Sequence, residues 1–140
     1  MDMKHIVDAS WEGNMMFDAT VSGHHVIMDA HAEVGGEDKG CRPKELMLAA
    51  LAGCTGMDVV SILKKMRIEI AGLDIRVVAD MTEEHPRHYE KMHIIYEFSG
   101  NELPVEQLKK AIDLSQERYC GVSFVYKKAM EVTYEIRVLP

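Results

Sequence analysis

A long apolar segment at residues 43–67 constrains the fold of this chain more than any other feature. Pro43 suits the first position of a helix, where its missing N–H has no intrahelical partner. Between residues 46 and 52, apolar side chains cover nearly every side of the predicted helix, and beyond them the apolar surface narrows to a stripe. Four charged residues of the second half are expected to face water: Asp58, Lys64, Lys65 and Arg67. We therefore expect a central helix whose first half is buried on all sides.

Six segments around this helix have the alternating or β-branched composition of strands. They are residues 6–11, 15–20, 25–29, 73–79, 92–98 and 132–138. Residues 104–119, opened by Pro104, and residues 121–129 are predicted to form two further helices. The predicted order is βββ-α-ββ-αα-β. Since strands and helices are grouped rather than strictly alternating, this order indicates an α+β fold, in a single domain of residues 1–140.

Charge and composition exclude several classes of partner. The net charge is −7 and no basic stretch is present, which argues against nucleic acid because nothing would displace its counterions. The first twenty residues lack the positive start and apolar centre of a signal peptide, and we expect no apolar run long enough to span a membrane. We expect a cytoplasmic protein whose three cysteines are kept reduced rather than forming a disulfide framework.

Cys54 lies in the small-residue part of the predicted helix. Gly53 and Gly56 flank it, although each glycine costs a helix about 1 kcal/mol relative to alanine. A fold tolerates that cost where another element packs closely or where a ligand must approach. Two interpretations stay open for Cys54: a small hydrophobic core residue or an accessible, reactive thiol.

Cys120 directly precedes the predicted third helix, which begins near Gly121. Free N–H groups and the helix dipole favour a thiolate at a helix N-terminus, so we expect a lowered pKa for Cys120; a cap position without function is the alternative. If the fold brings Cys54 and Cys120 together, one thiol can attack a peroxide and the other can resolve the product. Cys41 lies in a predicted exposed loop, either as an incidental surface thiol or as a third redox partner.

Metal binding is predicted to be absent. The chain has no Cys-x-x-Cys pair, and the adjacent His24 and His25 would point to opposite faces of a strand. His85 and His88 lie in a predicted turn with no cysteine nearby. The glycine spacing offers no phosphate-binding loop, and no nucleophile elbow is present. We therefore predict neither a metal ion nor a cofactor.

Two segments resemble the OsmC/Ohr family of thiol-dependent hydroperoxide reductases. Residues 42–54 resemble the helix that carries the first cysteine of the family, and residues 111–120 resemble the segment that carries its second cysteine. Residues 22–24 and 58–63 are most similar to the small YhfA-like branch. The resemblance covers nearly the full length. It implies an OsmC-like α+β fold, with a long buried central helix packed with antiparallel sheets, and an intertwined homodimer with two sites at the subunit interface.

The resemblance also implies a reaction that belongs to defence against oxidative stress. Cys54 would attack the O–O bond of a small organic hydroperoxide, and Cys120 would resolve the resulting sulfenic acid to a disulfide. A dithiol, of the lipoyl type in parts of the family, would be the reductant. We expect an apolar substrate pocket formed by Met47, Leu51 and Met57.

The chain departs from the arginine and glutamate that stabilise the reactive thiolate in Ohr-type members. No arginine precedes Arg42, and Lys44 follows Pro43 where the family has glutamate, while Glu45 keeps the second acidic residue. We predict Arg42 and Lys44 as supporting residues because a nearby cation lowers the pKa of a thiol; an exposed helix start without a chemical role is the alternative for both. Glu45 is predicted as a third supporting residue, since it keeps the second acidic residue of the family. The alternative function is a non-catalytic dimer that binds a small apolar or thiol ligand at the same interface pocket.

Overall fold

The computed structural model describes residues 3–140, which form two compact units: an N-terminal unit that ends at Met47 and a second unit, Leu48–Pro140. Along the chain the elements follow the predicted order of three strands, a long helix, two strands, two helices and a last strand. The α+β class predicted from the sequence is thus confirmed. The prediction that the whole chain is one domain stays a prediction.

The N-terminal unit is built on a three-stranded antiparallel sheet. Its strands, paired in the order β1-β2-β3, are β1 (Asp8–Trp11), β2 (Phe17–Val21) and β3 (His24–Met28). Ser22 and Gly23 form the turn between β2 and β3, and both have positive φ angles, 52° and 79°. Such a turn matches the twist of the two strands that it joins. The predicted hairpin or meander is therefore confirmed.

One buried carboxylate holds the loop after β3. Asp29 is 4% exposed, and its oxygens accept hydrogen bonds from the backbone N–H groups of Lys39, Ala30 and Glu37. These bonds, the one from Lys39 foremost, lower the pKa of Asp29 because they stabilise its charged form. They also fix the course of the loop towards Cys41, which is a free and exposed thiol.

The long helix α1 (Leu46–Lys65) follows a 3-10 turn, Pro43–Glu45. Its buried residues recur every four positions and define one face: Leu51, Thr55, Val59 and Leu63. The prediction that its first half is buried on all sides is wrong for the single chain, in which Ala49 and Ala50 are exposed. The physical reason is that the core of one chain covers only one side of a helix.

By length and composition alone, Pro43–Lys65 is long and apolar enough to cross a membrane. This finding corrects the expectation that the chain has no apolar run of that length. The core helix of a water-soluble protein can have the same length and composition. The face of α1 that carries Leu51 and Leu63 belongs to the core of the second unit.

The second unit contains a three-stranded mixed sheet. Its strands, in the order β4-β5-β6, are β4 (Gly72–Met81), β5 (Tyr89–Ser99) and β6 (Glu131–Val138). Strands β4 and β5 pair antiparallel, whereas β5 and β6 pair parallel, so the prediction of antiparallel sheets is wrong for β6. The reason is the long connection through two helices, which returns the chain to the starting end of β5.

These helices are α2 (Val105–Leu114) and α3 (Gly121–Lys127), joined by a π-helical turn, Ser115–Tyr119.

The core of the second unit lies where α1 and α2 pack on the mixed sheet. Its fully buried apolar side chains are Leu51, Val59, Leu63, Met92, Ile94, Tyr96, Phe98, Leu108, Ala111 and Ile112. Burial of each large apolar side chain contributes about 1.5–3 kcal/mol to folding. Cys120 is a member of this core, and Cys54 packs against it. The core therefore fixes both segments that carry the candidate reactive thiols.

Candidate active site

The structure brings together the two cysteines that the sequence singled out. One ligand atom from each of Cys54, Asp58 and Cys120 lies within 4.8 Å of the other two, so the two sulfur atoms are no farther apart than that. Cys54 is half-buried midway along α1, and Cys120 is 3% exposed at the start of α3. Both cysteines are free thiols. Two cysteines far apart in sequence are thus close in space, as the sequence led us to expect.

The carboxylate of Asp58 is the third member of the site. Asp58 follows Cys54 by four residues on α1, and this spacing places the two side chains on the same side of the helix. Its Oδ2 accepts a hydrogen bond of 3.0 Å from the hydroxyl of Ser115. The prediction that Asp58 faces water therefore needs correction, because the side chain is half-buried and turned towards the start of the π-helical turn.

A buried network of polar side chains lies behind the two thiols. The hydroxyl of Thr55 lies 2.6 Å from the hydroxyl of Tyr96 and 2.8 Å from that of Ser115. The amide of Gln116 donates to Thr55 and Tyr96 at 3.1 and 3.0 Å, and its oxygen accepts from Ser123 at 2.6 Å. All five residues are buried. The network ties α1, β5, the π-helical turn and α3 to one another, which restricts the relative movement of the segments carrying the thiols.

The π-helical turn sets the position of Cys120. In this turn the N–H of Cys120 donates to the carbonyl of Ser115, five residues earlier, at 2.8 Å. The wide turn buries two consecutive side chains, Ser115 and Gln116, and places both in the polar network. π-Helical turns are rare and occur frequently at functional sites. Cys120 then adopts an extended backbone, with φ −78° and ψ 100°, and caps α3.

The surroundings of Cys120 raise its pKa to about 11, chiefly because burial disfavours the thiolate. The neighbouring Cys54 and Asp58 raise it further, while the N–H of Ser123, 3.3 Å from the sulfur, opposes the shift. The helix N-terminus predicted from the sequence is therefore present, but it lowers the pKa of Cys120 by less than burial raises it. The predicted direction of the shift is wrong, and Cys120 is a protonated thiol at neutral pH.

The three predicted supporting residues belong to the N-terminal unit. The guanidinium of Arg42 donates to the carbonyl of Gly40 at 2.8 Å and to Asp38 at 2.6 Å, and it contacts His31 at 2.7 Å. Lys44 and Glu45 lie in the 3-10 turn and are exposed. The support that these residues give to the thiol chemistry stays a prediction.

The predicted substrate pocket is not formed on one face of α1. Leu51 is fully buried in the core, whereas Met57 is 77% exposed. Met47 is 36% exposed. Six residues separate Leu51 from Met57, about 240° around a helix, so the two side chains point in different directions. A substrate pocket shared by these residues stays a prediction.

Sequence reasoning missed Asp58 and the polar network. The four-residue spacing between Cys54 and Asp58 was a usable signal, since it places a carboxylate beside a helical thiol. Ser115 and Gln116 gave no such signal, because their burial results from the π-helical turn. The same group of Cys54, Asp58 and Cys120 also has the donor atoms and the spacing to hold a metal ion.

The chain thus combines an α+β fold with one free thiol on its long helix and a second free thiol beside it. The chain belongs to the OsmC family, because the family model described as OsmC-like protein matches residues 36–135. The resemblance drawn from the two cysteine segments is thus confirmed.

Similarities to individual proteins indicate the branch of this family to which the chain is related. Protein YhfA of Escherichia coli (strain K12) is 32% identical over 128 residues, which cover 91% of this chain and 92% of that protein. A hypothetical protein from Aquifex aeolicus VF5 has a crystal structure that is similar with a TM-score of 0.82, at 30% identity and 100% coverage of both chains. An organic hydroperoxide resistance protein from Elizabethkingia anophelis is similar in fold alone, with a TM-score of 0.74 at 14% identity, covering 99% of this chain and 100% of that one. The YhfA-like branch is therefore supported.

Proposed function

We propose that this protein reduces small organic hydroperoxides with Cys54 as the attacking thiol and Cys120 as the resolving thiol, in defence against oxidative stress. The observation that carries this proposal is the proximity of the two sulfur atoms, within 4.8 Å in a chain with both thiols free. Membership of the OsmC family and the likeness to a protein named for organic hydroperoxide resistance support it.

Exposure and pKa support this assignment of the two roles. Cys54 is half-buried, whereas Cys120 is 3% exposed and has a pKa raised to about 11, so Cys54 is the thiol that a peroxide can reach. The sulfur of Cys54 attacks the distal peroxide oxygen, the O–O bond breaks and the alkoxide leaves. The carboxylate of Asp58 takes the thiol proton and passes it to the alkoxide. The products are a sulfenic acid on Cys54 and an alcohol.

The second step forms the disulfide. The sulfur of Cys120 attacks the sulfenic sulfur of Cys54, the S–S bond forms and the S–O bond breaks. Hydroxide leaves with the Cys120 proton as water, so that the two thiols have supplied both electrons for reduction of the peroxide. Because the pKa of Cys120 is high, its proton needs an acceptor within reach. Asp58 is placed for this transfer as well, since its carboxylate is near both sulfur atoms.

A dithiol returns the protein to its reduced form by thiol–disulfide exchange, and we propose a lipoyl-type dithiol as the reductant. We also propose a cytoplasmic location, where such thiols are kept reduced. The net charge of −7 fits a small-molecule substrate rather than nucleic acid.

We also propose that the protein is a homodimer. In the second unit, apolar side chains of α1 and α3 are exposed: Met57 by 77%, Val60 by 49%, and Phe124 and Val125 by 61% each. A second copy that covers these side chains would remove apolar surface from water. We propose that the substrate pocket predicted from Met47, Leu51 and Met57 lies at this interface, where the exposed Met57 rather than the fully buried Leu51 would line it.

The experiment follows hydroperoxide reduction by the reduced protein. We expect cumene hydroperoxide to oxidise it much faster than it oxidises free cysteine, and we expect a Cys54–Cys120 disulfide on peptide mapping. Cys54→Ser should abolish the reaction, and Cys120→Ser should leave a sulfenic acid that a trapping reagent captures. Cys41→Ser is the matched control, with unchanged rates.

The alternative function makes a different set of predictions. A non-catalytic protein would react no faster than free cysteine, and native mass spectrometry would show a small apolar or thiol ligand retained by the purified protein. Cys54→Ser would then barely change ligand retention. These results would replace the peroxidase by a binding protein on the same scaffold.

A further inference from the structure

The arrangement of Cys54, Asp58 and Cys120 has the dimensions of a metal site. Their three ligand atoms lie within 4.8 Å of one another. Zn–S bonds of about 2.3 Å and Zn–O bonds of about 2.1 Å put the ligand atoms of a tetrahedral site about 3.5–4 Å apart. Closure by about 1 Å, within the reach of side-chain rotation, would therefore complete the coordination. We propose that Cys54, Asp58 and Cys120 bind one Zn²⁺ ion in the reduced protein, a function beyond the proposed hydroperoxide chemistry.

The type of the donor atoms selects the metal. Two thiolates are soft ligands, which disfavour Mg²⁺ and Ca²⁺ because those ions take oxygen ligands. An iron–sulfur cluster is typically held by four cysteines, whereas this group offers two cysteines and a carboxylate. Zn²⁺ accepts sulfur and carboxylate oxygen in one tetrahedral site. The donor set therefore fits Zn²⁺.

Two of the three ligands are already oriented by hydrogen bonds that metal binding would leave intact. Ser115 donates to Oδ2 of Asp58 at 3.0 Å, which leaves the other carboxylate oxygen for the metal. The N–H of Ser123 donates to the sulfur of Cys120 at 3.3 Å and would stabilise a thiolate there. The four-residue spacing of Cys54 and Asp58 places both ligands on one helix face, as two histidines at this spacing do in helical zinc motifs.

The site would have one open coordination position. Three protein ligands plus water is the pattern of zinc sites that exchange ligands, whereas closed structural sites have four protein ligands. Cys54 and Asp58 are only half-buried, so solvent or a small ligand can reach the fourth position. We therefore expect a reversible site rather than a permanent structural one.

A bound Zn²⁺ ion and the Cys54–Cys120 disulfide would exclude each other at this site. Disulfide formation between Cys54 and Cys120 removes both sulfur ligands. When a hydroperoxide oxidises the metal-bound form, the two thiolates give two electrons to the O–O bond and become a disulfide. Zn²⁺ is released, and two protons from solvent complete the alcohol and water. Bound Zn²⁺ would thus block the free thiols until it dissociates or is displaced by oxidation.

The test uses the full chain, reduced and freed of metal, with Zn²⁺ as the probe in equilibrium dialysis. We expect one Zn²⁺ per chain in the unaltered protein and in the control Cys41→Ser. Cys54→Ser and Cys120→Ser should each lose the site, and Asp58→Asn should weaken binding by about tenfold or more. Co²⁺ in place of Zn²⁺ should give a thiolate charge-transfer band that both cysteine variants lose.

A footprint on the unaltered protein avoids the question of whether a variant folds. Zn²⁺ should slow alkylation of Cys54 and Cys120, resolved by mass spectrometry, and should leave alkylation of Cys41 unchanged. The proposal fails if no Zn²⁺ is retained, if Cys41 is protected instead, or if the oxidised protein binds as much Zn²⁺ as the reduced one. Hydroperoxide reduction measured in metal-free protein is a separate readout, so either proposal can fail while the other stands.

Discussion

The hydroxyl of Thr55 on α1 lies 2.8 Å from the hydroxyl of Ser115, the first residue of the π-helical turn. This buried contact joins the helix that carries Cys54 to the segment that ends at Cys120. Through Ser115 it also reaches the carboxylate of Asp58. The distance between the two thiols therefore depends on polar contacts as well as on apolar packing.

Removal of the Ser115 hydroxyl should destabilise the second unit. Ser115→Ala removes one hydrogen bond from the buried hydroxyl of Thr55 and one from the carboxylate of Asp58, and each lost hydrogen bond costs about 0.5–1.5 kcal/mol. Denaturant unfolding checks the loss. The matched control is Ser61→Ala, since Ser61 is exposed on α1, and its effect should stay within about 0.5 kcal/mol. Equal effects of the two substitutions would contradict a role for the network in stability.

Asp58→Asn should slow both chemical steps without unfolding the protein. An asparagine can keep the hydrogen bond from Ser115, but it cannot accept the thiol protons, and loss of a general base typically slows a reaction by about 10²–10⁴-fold. Stopped-flow oxidation by cumene hydroperoxide, with circular dichroism as the check on folding, measures the effect. Asp58→Glu should recover part of the rate. An asparagine variant that reacts at the unaltered rate would remove Asp58 from the proton transfer.

Alkylation of Cys120 should show its raised pKa. In the folded protein we expect iodoacetamide to modify Cys120 with a profile that reaches half its maximum near pH 11, whereas the denatured chain should titrate near 9.0. Mass spectrometry resolves Cys120 from the other two cysteines. A folded profile equal to that of the denatured chain would show that burial does not control this thiol.

The raised pKa of Cys120 also predicts how the stability of the protein depends on pH. The folded state binds this proton more tightly than the unfolded state, so loss of the proton at high pH favours unfolding. Because the folded pKa of Cys120 is above the unfolded value, its contribution to stability is fully present below about pH 9 and is lost as the pH rises through about 11. Denaturant unfolding in this window should show falling stability. In Cys120→Ala the decline should be smaller, although Tyr96, with a pKa raised to about 12, still contributes to it.

Two apolar substitutions on α1 should have different consequences. Leu51 is fully buried, so Leu51→Ala should cost about 2–5 kcal/mol in the free energy of unfolding. Met57 is 77% exposed, and Met57→Ala should leave the stability of the single chain nearly unchanged. If α1 is the dimer interface, Met57→Ala should instead weaken self-association in sedimentation experiments. A variant that self-associates as strongly as the unaltered protein would place the interface elsewhere.

Much of the fold was predictable because its signals are local. Alternating residues in β4 and β6 and the apolar run of α1 were sufficient for the element order. The parallel pairing of β6 with β5 was not predictable, because no local sequence pattern shows which strand becomes its neighbour after a long connection. The exposure of Ala49 could not be predicted from the sequence either, because apolar residues that a partner chain would cover show the same pattern as core residues.

The candidate site was predictable only in part, for the same reason. The two cysteines could be chosen from their segments and from the family resemblance. The direction of the pKa shift of Cys120 could not be predicted, because it depends on burial in the core rather than on the helix that Cys120 caps. The role of Gln116 could not either, since its burial comes from a turn that periodicity does not reveal.

The π-helical turn Ser115–Tyr119 also restricts how this chain can change in evolution. Deletion of one residue there would restore ordinary helical winding and change the position at which Cys120 leaves the helix relative to Cys54. Substitutions within the turn alter single contacts, whereas a change in its length separates the thiols altogether. The number of residues between α2 and α3 should therefore be conserved more strictly than most of their identities.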